Sequence, residues 1–282
     1  MIDSIAVQVP ALSTPTYKSP LRYPGGKQKA IEQIARRMPQ RANEFREPLV
    51  GGGSVFFHAK TIGFSKEYWI NDKFYELTAF WKSVQDAETC GRLLIELEEL
   101  RTRFQSAEEI KEFFLSVKDE KSDSDYRAAF LFFFFNRVTF SGTTHAGGFS
   151  AAASIKRFTA SSVERLKPMP AALRGTRITN LDFAEVIDAP GTDVFMFIDP
   201  PYFKASRLYG KGSRKDVFDH ERLANTLKET KHKFLITYDD CEEVRNLFGW
   251  ANVQDWQLQY GMNNCNATHE SKIGNEVFIT NY

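Results

Sequence analysis

Metal ligands, disulfides and membrane spans are what this sequence is short of. Its three cysteines, Cys90, Cys241 and Cys265, are scattered through 282 residues. They form no Cys-x-x-Cys pair, and an odd, dispersed set is no disulfide framework; it suits a reducing cytoplasm. The five histidines make no His-Glu-x-x-His, so no metal is expected. The longest apolar run, Ala128–Phe135, is too short to span a bilayer. The opening MIDSIAVQVPALSTP lacks the charged start and apolar stretch of a signal peptide. A cytoplasmic protein with no membrane partner is therefore expected. Charge of one sign is also missing: the net charge is +1, which excludes a global cationic field. There is no internal repeat and no low-complexity segment.

Aromatics are abundant, with 25 phenylalanines, several of them clustered at Phe130–Phe135. That cluster reads as core rather than as a platform for stacking bases. Basic residues are abundant only locally. Lys121 to Arg177 holds nine Lys or Arg against three Asp or Glu, and Phe203–Lys215 holds five with no acid. Such stretches fit either solvated surface or a face for phosphates.

Pro10, Pro15 and Pro20 mark an irregular tail, residues 1–19. Beyond it, Lys27–Met38 has helical spacing, as do Val55–Thr61, Phe74–Val84, Arg92–Phe104, Glu108–Lys118, Ser124–Arg137 and Leu223–Thr230. Ser141–Ala153 reads as a loop. Tyr68–Asn71, Arg177–Asn180, Val194–Ile198, Phe234–Thr237 and Val277–Thr280 are β-rich runs between turn signals. Strands alternating with helices mean an α/β fold with a mostly parallel sheet. The simplest division is an α/β domain of residues 20–85 and 176–282, interrupted by a mostly helical insertion, 86–175. Arg46 is out of place in an apolar first strand and suggests an edge-like or frayed end.

Three motifs carry chemistry. Val194–Ile198 delivers Asp199-Pro200-Pro201-Tyr202 to the end of a strand, where open α/β sheets bind ligands. The amine of a heteroaromatic ring is a poor nucleophile, because its lone pair is delocalised. A carboxylate and a backbone carbonyl accepting its two N–H bonds localise that lone pair, and a tyrosine stacks on the ring. Such catalysis is positioning plus electrostatics. Glu47-Pro-Leu-Val-Gly-Gly-Gly-Ser-Val-Phe56 is a glycine turn between strand and helix, and Asp72 follows the next strand, placed to accept from ribose hydroxyls. A glycine run alone is equally a plain tight turn. The absence of a following Gly-Lys-Ser/Thr excludes a P-loop. Leu21-Arg-Tyr-Pro-Gly-Gly-Lys27 places a tyrosine and a lysine around a tight turn.

In this order the motifs resemble the DNA adenine methylase (Dam) family, the D12 class of N6-adenine DNA methyltransferases, over nearly the whole chain from Ser19. The resemblance implies a Rossmann-like S-adenosylmethionine-dependent methyltransferase sheet with a target-recognition insertion. It implies methyl transfer to N6 of an adenine flipped out of double-stranded DNA. Asp199, Pro200 and Tyr202 would be catalytic. Tyr23, Lys27, Gly51, Gly53, Asp72, Asp182, Phe183 and Asp199 would hold S-adenosylmethionine. Asn136 and Arg137 match the family's DNA-contacting segment, with His145 in the loop after them; Lys204, Lys211 and Arg214 in the basic stretch would meet phosphates. Asn275–Tyr282 resembles the family's closing strand. The loop Phe140–Phe149 lacks the basic, asparagine- and tyrosine-bearing character of GATC-specific relatives, so the resemblance does not extend to GATC. A cognate restriction endonuclease is a partner that the family allows. Two other readings stay open from the motifs themselves: methylation of cytosine N4, an RNA base or a protein glutamine, and a DNA-binding module without activity.

Overall fold

A computed structural model describes residues 16–144, 147–203, 218–259 and 273–282. The strands are β1 (Glu44–Glu47), β2 (Glu67–Asn71), β3 (Thr176–Thr179), β4 (Val194–Ile198), β5 (Lys233–Asp239), β6 (Asn252–Gln259) and β7 (Ile273–Thr280). They form one seven-stranded sheet in the order β3-β2-β1-β4-β5-β7-β6. The first five run parallel, and β7 enters antiparallel between β5 and β6. The order reverses between β1 and β4, the switch point at which open sheets leave a crevice at their C-terminal ends.

Each strand end feeds the crevice for a local reason. All five residues of β4 are buried, as a central parallel strand requires, and Asp199 is the first residue past it. Asn71, wholly buried at the end of β2, donates to the carbonyls of Pro48 and Leu181 at 2.9 and 3.0 Å and accepts from the Leu181 amide at 2.8 Å. One side chain thus ties together the loops leaving β1, β2 and β3. The glycine turn after β1 leads into α2 (Ser54–Thr61), and α3 (Tyr75–Gln85) follows β2.

The expectation for Arg46 is corrected. β1 is central, between β2 and β4, and Arg46 is 1% exposed. Its guanidinium pairs with Glu44, donates to the carbonyls of Val186, Ala189 and Pro190, and lies 5.1 Å from the Trp69 ring centroid. A buried cation persists where its donors are satisfied, and here they cap the end of α10 (Phe183–Asp188).

Between α3 and β3 lie α4 (Ala87–Arg103), α5 (Ala107–Val117), α6 (Asp125–Val138), α7 (Ala151–Arg157), α8 (Ala160–Glu164) and α9 (Met169–Ala172). The predicted loop Ser141–Ala153 is shorter than expected, because Ser150 caps α7 through the Ala153 amide. An antiparallel bridge between Thr139 and Phe149 closes it. Residues Phe130–Phe135 are at most 5% exposed, and Phe132 and Phe133 pack on Phe80 of α3 at 5.5 and 5.9 Å. Burying each such ring contributes about 2 kcal/mol. The helical segment therefore shares one apolar cluster with a face of the sheet. The opposite face packs on α10, α11 (His220–Glu229) and α12 (Glu242–Leu247). Lys27–Met38 is broken into a 3-10 turn, Lys27–Lys29, and a short α1 (Ile31–Ala35). The Tyr17 amide donates to Thr61 of α2 at 2.9 Å, so the expected tail of residues 1–19 is tied to the fold at Tyr17. No helix among the described residues is long and apolar enough to cross a membrane. Among the described residues no cluster of His, Cys, Asp or Glu could hold a metal.

Candidate active site

The crevice brings the three sequence motifs together. Lys27, 3% exposed, lies between the two oxygens of Asp199 at 2.7 and 2.8 Å, and also donates to the Gly25 carbonyl at 3.0 Å. Thr237 of β5, wholly buried, donates its hydroxyl to Asp199 Oδ1 at 2.7 Å. Asp199 is thus held from the neighbouring strand and from the N-terminal turn. Pro200 is buried and Tyr202 half-buried. The Lys27 ammonium lies 4.8 Å from the Tyr202 ring centroid. The Tyr202 hydroxyl donates to Glu276 of β7 at 2.6 Å, and the next amide, Phe203, donates to Asp239 of β5 at 2.8 Å.

The glycine turn sits beside this group. Gly51 and Gly53 have φ of +47° and +68°. A Cβ on Gly51 would stand 2.8 Å from the Tyr23 ring, so no side chain fits there. Trp81 holds the turn by donating to the Gly51 carbonyl at 3.3 Å. Asp72 closes it, accepting from the amides of Gly51 and Phe74, both at 3.0 Å. Burial raises the pKa of Asp72 against the downward pull of those amides, and burial with the nearby carboxylates of Asp72 and Asp199 raises that of Tyr23.

Sequence reasoning missed Glu47, and it is the most informative residue of the site. Its carboxyl is 2% exposed, and Oε2 has no hydrogen-bond partner among the described residues. Burial, and then the proximity of Asp199, hold it well above the ordinary carboxylate range. A buried polar atom without a partner is rare, and a carboxylate oxygen so placed beside the glycine turn suits a cationic ligand group. The signal was present as a carboxylate directly before the proline and glycines of the turn. Glu276 and Thr237 were missed too; each is a buried polar residue beside the apolar run of its strand.

Asp182 and Phe183 begin α10 beyond β3. Asp182 caps the helix through the Ala184 amide at 3.0 Å and pairs with Arg222 at 2.7 Å. The Arg222 guanidinium lies 4.4 Å from the Phe183 ring centroid, and Phe183 is 6% exposed.

Two expected DNA contacts are corrected. Asn136 and Arg137 are 0% and 1% exposed. Asn136 accepts from the Arg22 amide and donates to the carbonyls of Arg22 and Gly142, so its amide has no edge left for a base. Arg137 donates to the Pro20 carbonyl and lies over the Phe133 ring. Burial, with Arg165, Arg22 and Arg157 nearby, lowers its pKa to about 9. Both residues moor the 20–22 segment to α6. What the segment does expose is Phe140, at 61%, beside Ser141 in the left-handed region. His145, Lys204, Lys211 and Arg214 lie outside the described residues.

A profile of the family described as D12 class N6 adenine-specific DNA methyltransferase matches residues 23–262. The chain is similar to the DNA N-6-adenine-methyltransferase of Escherichia phage P1, 29% identical over 245 residues that cover 82% of this chain and 31% of the phage protein. It therefore spans less than a third of that relative's length. The Type II methyltransferase M.MjaIII of Methanocaldococcus jannaschii is 29% identical over 64% of this chain and 68% of its own. A DNA adenine methylase of Vibrio cholerae is 24% identical over 83% of this chain and 85% of its own.

Proposed function

The chain belongs to the D12 class of N6 adenine-specific DNA methyltransferases, and from that membership we propose that it methylates N6 of an adenine turned out of double-stranded DNA, with S-adenosylmethionine as donor. The observation that carries the proposal is Asp199, fixed by Lys27 and Thr237 at the end of β4 and adjoining Tyr202 and the glycine turn.

The residues present fit the donor. S-adenosylmethionine supplies an electrophilic methyl carbon on a cationic sulfur. Glu47, with its unpartnered oxygen, suits the donor's ammonium, and Asp72 its ribose hydroxyls. Gly51 and Gly53 keep the turn bare of side chains, and Tyr23 and Lys27 wall it. Asp182 and Phe183 complete the adenine end. Asp199 accepts one N–H of the target amine, and a carbonyl beside Pro200 accepts the other, which concentrates the lone pair on nitrogen. Asp199 is also the carboxylate placed to hold the proton that nitrogen loses. Tyr202 supplies the face on which the extruded base stacks, since an amine engaged in a base pair is out of reach. Phe140, exposed on its closed loop, suits an apolar wedge at the vacated step. Lys204, Lys211 and Arg214 are the basic residues proposed to meet the DNA backbone.

The relative named as a Type II methyltransferase supports a role in a restriction–modification pair, with a cognate endonuclease as functional partner, and a cytoplasmic location is where such a pair would meet DNA. The test is expression in a host lacking adenine methylation, followed by modification-sensitive sequencing of its DNA. N6-methyladenine in one sequence context is expected. N4-methylcytosine, or methylation only of RNA or protein glutamine in competition for labelled donor, would replace the proposal.

A further inference from the structure

Glu276 stands where a strand residue should be apolar. Its neighbours Val277, Phe278 and Ile279 are at most 1% exposed, as is Glu276 itself. Burying a carboxylate is costly unless it is strongly bonded. Its partner is Tyr202 of the catalytic turn, 74 residues earlier, at 2.6 Å, the length of a charge-assisted O–H···O bond. In the sheet, β7 is two strands from β4, so this contact reaches across β5. The register places Glu276 opposite Asp239. Asp239 takes the Phe203 amide at 2.8 Å. Two carboxylates that face each other across paired strands thus grip consecutive points of the chain leaving Pro201: one the main chain, the other the phenol.

We propose that Glu276 is the positioning residue for Tyr202: its carboxylate fixes the phenol hydroxyl and so sets the plane on which the target adenine stacks. The inference rests on the reading of Tyr202 as the stacking residue. A phenol held only by its torsions can swing about the Cα–Cβ axis; one bonded at its far end cannot, and because a phenolic O–H lies in the ring plane, its acceptor also orients that plane. The same bond pushes electron density into the ring, which attracts the positive charge that grows on the base as its amine is alkylated. Asn275–Tyr282, known from sequence only as a closing strand, thereby gains a role in the reaction.

The test uses the full chain and a duplex carrying the methylation site found by sequencing, with 2-aminopurine in place of the target adenine for fluorescence. Tyr202→Phe and Glu276→Ala are each expected to slow single-turnover methylation about tenfold and to brighten the bound 2-aminopurine, because stacking quenches it. The double variant should be no slower than either single one, and Glu276→Gln, which keeps an acceptor, should recover most of the rate. Binding of S-adenosylmethionine by calorimetry should stay unchanged throughout. Independent losses that multiply to about a hundredfold, or unchanged rate and fluorescence in Tyr202→Phe, would overturn the proposal. Tyr202→Phe replaces no residue of the sheet and keeps the ring, so it decides the matter even where Glu276→Ala fails to fold. Full activity in Tyr202→Ala would instead remove the stacking reading on which the inference rests.

Discussion

At the strand ends, Asp199 is bonded to Lys27, 172 positions upstream, and Tyr202 to Glu276, 74 positions downstream. In the loop between Thr139 and Phe149, Thr143 bonds Phe140, three positions away, and Thr144 bonds Thr139, five away. The first region is held by the sheet and by the N-terminal turn, and each polar group answers to a segment distant in sequence. Among the described residues, the second is held mainly by its own turns, by the Thr139–Phe149 bridge and, at its root, by the Asn136 side chain. A site that must present a carboxylate and a ring in fixed register needs the first kind of support. A surface that chooses a sequence can change residue by residue without disturbing the sheet, and only the second kind permits that.

The contrast breaks first at Asp199. Asp199→Ala should lower methyl transfer by about 10³-fold or more, since it removes the proposed acceptor of the target amine. Binding of duplex DNA should persist, because no residue of the loop or of the basic stretch is changed. Comparable loss of DNA binding would mean that the two regions are one machine and that the comparison is false. Near-normal turnover would sink the role of Asp199.

Glu47 sharpens the same boundary at smaller scale. Its raised pKa gives the ligand-free protein a neutral carboxyl below that pKa, and a cationic ligand group pulls the pKa down. Binding of S-adenosylmethionine should therefore release a proton, and affinity should rise as pH rises through the raised value. The fold alone goes the other way: for an acid whose folded pKa exceeds its unfolded one, stability is greatest at low pH and falls as pH climbs between the two. Calorimetry in buffers of different ionisation heat reads the proton directly. Glu47→Gln should abolish that release and weaken binding about tenfold. Equal proton release by both proteins would exclude Glu47 as the source.

The two regions were unequally legible. Val194–Ile198 with Asp199–Tyr202 was readable because five apolar residues followed by a carboxylate and two prolines form a local pattern. Asn71-Asp72 was readable for the same reason. What escaped depends on contacts across the sheet. Arg46 looks misplaced until the carbonyls ending α10 are seen around it. Glu276 and Thr237 look like interruptions of apolar strands until their partners arrive from β4 and its loop. Strand β6, Asn252–Gln259, carries no sustained apolar run because it is an edge strand with one neighbour. Asn136 and Arg137 were assigned to the DNA from their match to the family's DNA-contacting segment, and nothing local reveals that residues 20–22 cover them.

Asn136 supplies the finest test, because it is where the two regions touch. Its side chain grips the Arg22 main chain on one side and the Gly142 carbonyl on the other. Gly142, at φ +75°, has the Arg22 carbonyl 2.5 Å from where a Cβ would stand, so the loop root and the 20–22 segment are in direct contact. One residue beyond Arg22 is Tyr23, against the glycine turn, and four further is Lys27, on Asp199. Asn136→Ala would strand two carbonyls and an amide, at a cost of about 2–3 kcal/mol if they stay dry. The loss should therefore fall on the pocket: a lower Tm and a few-fold weaker binding of S-adenosylmethionine by calorimetry. The salt dependence of duplex binding should keep its slope, because no phosphate contact is removed. A flatter slope, with cofactor affinity intact, would return Asn136 to the DNA interface and erase the line drawn between the two regions.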